Sequence, residues 1–186
     1  MKRKNILLIL MIAFGAPWAA IADDLLVANS TGTNATVPIY GTFTDDNYQH
    51  TQTIYPASML TQMQGGRITK LTYYLQSAGT EAWGATFEVR LGTTTQSSFS
   101  SGTVSYISKT GSANYTGVIN NTNSNALIEI TLSTPYTYNS GNLVVDFRLT
   151  GLGSSYQGKS FYGESGSTYY SISRSEERFS RNAETD

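Results

Sequence analysis

Two stretches of alternating side chains constrain this chain more than anything else in it. In Ala85-Thr86-Phe87-Glu88-Val89-Arg90-Leu91 every second residue is apolar, and Leu143-Val144-Val145-Asp146-Phe147-Arg148-Leu149 repeats the pattern around Asp146 and Arg148. A period of two becomes a single apolar face only in an extended strand. Leu127 to Leu132 sets Ile128, Ile130 and Leu132 opposite Glu129 and Thr131, and Lys70 to Leu75 sets Leu71, Tyr73 and Leu75 inward. Each is a half-buried strand.

Weaker strands are expected at 37–41, 51–55, 104–109, 136–138, 160–162 and 169–172. Clusters of Gly, Asn and Ser separate them, among them Gly65-Gly66, Asn120-Asn121-Thr122-Asn123 and Asn139-Ser140-Gly141-Asn142. Many short strands punctuated in this way predict an all-β, two-sheet antiparallel sandwich, jelly-roll-like, with at most one short helix. That helix is expected at Pro56 to Met63, opened by proline and stopped by Gly65-Gly66. The expected core includes Phe87, Val89, Leu91, Ile128, Ile130, Val145 and Phe147.

The first residues read as an export signal. Lys2, Arg3 and Lys4 precede an apolar run from Ile6 to Phe14, and Ala20-Ile21-Ala22 lies before Asp23 and Asp24. A basic region, an apolar region and a small-residue cleavage site are the three parts of a secretory signal. The run is broken by Gly15 and Pro17 and is shorter than the roughly 20 residues of a membrane span. Three parts are therefore expected: a signal peptide over 1–22, a β-sandwich domain over 23–172, and a charged, disordered tail over 173–186. The tail holds Arg174, Glu176, Glu177, Arg178, Arg181, Glu184 and Asp186, with Phe179 its one aromatic.

Beyond the signal the formal charge is −4 (12 − 3 basic residues against 13 acidic). An acidic balance disfavours nucleic acid and anionic membranes, which are bound by basic patches. The chain has no Cys, so disulfides, thiol catalysis and a lipid-acylated cysteine are excluded. No cofactor is implied. The expected location is secreted or at the cell surface, with no membrane span after signal cleavage.

Several phrases occur in a telling order: Pro38-Ile39-Tyr40-Gly41, Gln52-Thr53-Ile54-Tyr55-Pro56-Ala57, Gly65-Gly66-Arg67-Ile68-Thr69-Lys70-Leu71 and Tyr138-Asn139-Ser140-Gly141-Asn142-Leu143-Val144-Val145. Together, over about residues 33 to 165, they resemble a β-sandwich module of secreted surface proteins of Bacteroidota-type bacteria. Such modules often stand beside fibronectin type III domains and a type IX secretion sorting domain. The resemblance implies an adhesin-like role at the cell surface and no particular reaction.

The residues able to carry chemistry are few. His50 is the one histidine, so a Ser-His-Asp arrangement would have to use it, with Asp45 or Asp46. No G-x-S-x-G elbow accompanies it, and a surface-loop histidine is the expected reading. Glu88, Glu129 and Asp146 project from the polar face of their strands and could supply the paired carboxylates of a glycosidase, but Arg90 and Arg148 beside them fit cross-strand ion pairs on a solvated face. Asp45-Asp46-Asn47 offers oxygens to calcium, yet too few for a hard-cation site, and the same residues favour Asx-turns; no metal is expected. The Asn-x-Ser/Thr triplets at Asn29, Asn34, Asn114 and Asn120 are read as chance in a bacterial chain.

Trp83, in Gly79-Thr80-Glu81-Ala82-Trp83-Gly84, is the candidate ligand-binding residue, because an indole can stack on a sugar ring or a partner surface. The same residue can instead close one end of the core. The functional expectation is a non-enzymatic, adhesin-like surface module that binds an extracellular glycan or protein. Its alternatives are a fimbrial or matrix subunit, with Asp24 to Ala28 as a donor strand, and an accessory carbohydrate-binding domain of a truncated enzyme.

Overall fold

The computed structural model describes residues 24–27, 31–39, 49–76, 84–100, 105–109, 111–119, 126–153, 160–163, 168 and 170–175. The all-β expectation holds. The strands are β1 (Thr33–Asn34), β2 (Gln49–Tyr55), β3 (Gly66–Tyr74), β4 (Ala85–Thr94), β5 (Tyr115–Ile119), β6 (Leu127–Tyr138), β7 (Asn142–Gly151), β8 (Phe161–Tyr162) and β9 (Ser171–Ser175). One layer is a five-stranded sheet in the order β5-β4-β7-β2-β9. The opposing layer pairs β6 with β3, and a bridge from Leu75 to Phe161 carries it on to β8 and β1. All strand pairs are antiparallel.

The strong alternations become the facing surfaces of these layers. Phe87, Val89, Leu91, Val145, Phe147 and Leu149 from the five-stranded sheet share one buried cluster with Ile68, Ile128, Ile130, Leu132 and Phe161 from the other layer. Leu71 and Tyr73 pack against it, and the Tyr73 ring meets Phe147 edge-on with centroids 5.6 Å apart. The Tyr55 and Tyr73 hydroxyls are hydrogen-bonded to each other, tying β2 to β3, and burial raises both phenol pKa values, that of Tyr73 well above the ordinary value.

In β3, Ile68 and Leu71 both reach the core although they stand three positions apart, which plain alternation would put on opposite faces. A register shift between Ile68 and Lys70 makes this possible: Thr69 alone stands against residues 132–135 of β6, and the alternation of β3 changes sense there.

Asn114 fastens β4 to β6. Its N–H donates to the Val89 carbonyl, its Oδ1 accepts from the Leu91 N–H at 2.8 Å, and its Nδ2 donates to the Thr134 carbonyl at 3.0 Å. A side chain so engaged and buried is a structural asparagine, whatever triplet it stands in.

The weaker expectations fared unevenly. Residues 136–138 are the end of β6, not a separate strand. The described part of 104–109 carries no regular secondary structure and joins no sheet, and β5 is a strand beyond those expected. Pro56 to Met63 holds two single 3-10 turns, Ala57–Met59 and Thr61–Met63, followed by Gly65 at φ +76°. The last strand runs to Ser175, so it crosses the domain boundary expected at 172. The physical reason is pairing: Ser173, Arg174 and Ser175 lie opposite Thr51, His50 and Gln49, and sheet hydrogen bonding does not require apolar content. Residues 1–23 and 176–186, hence the expected signal peptide and the rest of the expected tail, lie outside the described residues. Among the described residues no helix is long and apolar enough to cross a membrane.

Candidate functional site

The outer face of the five-stranded sheet carries the chemistry. Register sets out two rows across it. In one, Glu88 of β4 lies opposite Arg148 of β7, which lies opposite His50 of β2; in the next, Arg90 lies opposite Asp146, which lies opposite Gln52. Below them the face turns apolar: Ile54 and Val144 form a small cluster with Phe99, against which Ile107 and Ile172 pack.

Residues 105–109 lie over this face as a strap. Gln52 holds it, its Oε1 accepting from the Ile107 N–H at 2.7 Å and its Nε2 donating to the Ile107 carbonyl at 2.8 Å. The same Nε2 donates to Asp146 Oδ2. The Tyr106 hydroxyl donates to the His50 carbonyl at 2.7 Å, and its ring stacks on the imidazole with centroids 3.7 Å apart. At the far end Lys109 Nζ donates to the Thr93 carbonyl at 3.3 Å. Gly92 makes room for that lysine, since a Cβ there would stand 3.0 Å from Nζ and 3.1 Å from Cδ. Burial lowers the Lys109 pKa, and the Asp146 carboxylate opposes that shift.

His50 is thus not a loop residue. It sits within β2, and its Nε2 lies 3.1 Å from both Asp146 oxygens, with 29% of the histidine side chain exposed against 8% of the aspartate. A carboxylate accepts only, so the contact places a proton on Nε2. A histidine held this way by a buried aspartate matches two of a triad's three members. Among the described residues no serine or threonine hydroxyl is hydrogen-bonded to the ring, and Asp45 and Asp46, the partners expected for it, lie outside the described residues.

The three carboxylates do not converge. Glu88 Oε2 pairs with Arg90 Nη1 of its own strand at 2.8 Å. Glu129 pairs with Lys70 across β3 and β6 at 2.7 Å, on the other sheet, and its hydrogen bond raises the Lys70 pKa. Asp146 is not on a solvated face, because the strap and its amide partners cover it. Among the described residues no group of three or more His, Asp or Glu side chains is placed to hold a metal ion; Asp45-Asp46-Asn47 lies outside them.

Trp83 also lies outside the described residues, directly before Gly84 and the start of β4. Asp24 to Val27 is described: Leu25 and Val27 pack against the main core, and Leu26 is exposed.

Sequence reasoning missed the link between His50, Gln52 and Asp146. The available signal was the alternation of β2 itself, which puts His50, Gln52 and Ile54 on one face. No protein-family model, curated protein or solved structure matches the chain.

Proposed function

We propose that this chain is a secreted, non-enzymatic binding module of adhesin-like type, which recognises an extracellular glycan or protein. The observation that carries the reading is the use made of His50. The chain's one imidazole is tied to Asp146, stacked on Tyr106 and built into the anchorage of a strap, so it braces a surface. A rigid sandwich that presents loops is a common support for recognition. The basic, apolar and small-residue segments before Asp23 support export, and the resemblance of the ordered phrases to Bacteroidota-type surface modules supports the role at the cell surface.

The test uses the mature chain starting at Asp23 on immobilised glycans and extracellular proteins, beside Trp83→Ala. Loss of about 1–3 kcal/mol of binding, on the scale of aromatic stacking, with an unchanged melting curve would support Trp83 as a platform. A loss of roughly 3–5 kcal/mol of folding stability would make it a core residue. Absence of binding to every glycan and protein presented would sink the reading.

A second reading, a self-assembling fimbrial or matrix subunit, is favoured by Asp24 to Val27, whose alternate residues Leu25 and Val27 pack against the main core. Removing residues 23–28 would then abolish assembly into higher-order species in size-exclusion chromatography.

A further inference from the structure

The polar rows of the outer face are not electrically balanced. Arg90, Arg148 and Lys109 stand there with Glu88 and Asp146, a local excess of positive charge in a chain that is acidic beyond its signal. Glu88 is engaged by Arg90, and Asp146 by His50 and Gln52. Arg148 is exposed, and among the described residues its side chain makes no hydrogen bond or ion pair. Arg90 gives Nη1 to Glu88, while its Nε is buried with no acceptor among the described residues. A buried donor without an acceptor is uncommon and calls for an explanation.

The two arginines are diagonal neighbours. Arg90 lies opposite Asp146 and Arg148 opposite Glu88 on adjacent strands, a separation that long side chains bridge. We propose that Arg148 and Arg90 together bind the carboxylate of an acidic sugar, beside the stacked Tyr106–His50 pair, so that the ligand is a polysaccharide built from uronic acids. Guanidinium groups present forked donors that match a carboxylate. A carboxylate seated between them draws Arg90 outward and gives its orphaned Nε an acceptor. The partly exposed Tyr106 offers ring surface to the apolar face of a sugar, which an acidic peptide would not use. This inference rests on the binding-module reading and names its ligand class and face.

The experiment is calorimetric titration of the mature chain with oligogalacturonate, with its methyl ester and with oligoglutamate, at low and high salt. Binding of the free acid that weakens with salt and is lost on esterification is the expected result. Arg148→Gln should weaken it roughly ten- to hundredfold, the scale of a lost charge-assisted hydrogen bond, with the melting temperature unchanged, and Arg148→Lys should fall between. Equal affinity of wild type and Arg148→Gln, or of acid and ester, would overturn the site. Tighter binding of oligoglutamate would overturn the sugar and assign the face to an acidic protein. If neutral glycans bind where the acid does not, this inference fails and the broader reading stands.

Discussion

The two faces of the five-stranded sheet are made by the same strands and held by different chemistry. On the inner face Phe87, Val89, Val145 and Phe147 meet the opposing layer with little but hydrocarbon. On the outer face Asp146, which lies between them, and its neighbour Gln52 are joined by directional hydrogen bonds to each other and, through Gln52, to a strap with no strand partner. Burial on the first face is non-directional and scales with area. On the second, covering a carboxylate is tolerated only because amide and imidazole donors meet it. The inner face therefore specifies that the layers pack, and the outer face specifies where one short segment lies.

The sharpest way to break this contrast is at adjacent positions of β7. Phe147→Ala should destabilise by roughly 3–5 kcal/mol through the cavity it leaves, measured by chemical denaturation; a change of a few tenths would mean that Phe147 is not in the core. Asp146→Ala, one residue away, should cost about 1–3 kcal/mol by stranding the Gln52 and His50 donors. A loss as large as that of Phe147 would erase the distinction between the faces.

The inner face carries its own polar signature in Tyr55 and Tyr73. Their folded pKa values are raised above 10.0, so the neutral phenols favour the folded state. That contribution is complete below the unfolded value near 10 and is lost as pH rises through the folded values. Stability should fall above pH 10 in denaturation series, and Tyr73→Phe should flatten the fall. An unchanged slope would show that these phenols do not govern the alkaline limb.

The smallest effect is the most local. Gln52→Ala should cost about 1 kcal/mol and speed hydrogen exchange at the Ile107 amide, leaving the amides of β6 as they were. Exchange that rises across the whole sheet would show that the strap supports the fold as a whole.

The same contrast decides what the sequence made legible. The inner face was legible because alternation encodes it residue by residue. All seven expected core residues are buried. The outer face was not, because alternation says only that Asp146 and His50 point away from the core, and polar outward residues ordinarily meet water. The cover comes from residues 105–109, more than 50 positions from Gln52 in the chain, and no local pattern records such a distant contact. β5 escaped notice because Tyr115-Thr116-Gly117-Val118-Ile119 has a glycine where its inward row needs an apolar side chain. The polar rows that frame Arg148 became visible only through register.

The alternation of β3 changes sense once, between Ile68 and Leu71, and that change works as a parity bit. On either side of it the strand obeys the same inward-outward rule, but the two counts differ by one. Deleting Thr69 would bring Ile68 and Leu71 two positions apart, where plain alternation already turns both inward, so the core would keep its side chains and only the register against β6 would have to adjust. Deleting Thr72, in an unbroken stretch, would instead turn the polar row of one half of the strand to the core. Loss of one residue should accordingly be tolerated better at the break than beside it, although the two deletions remove the same atoms.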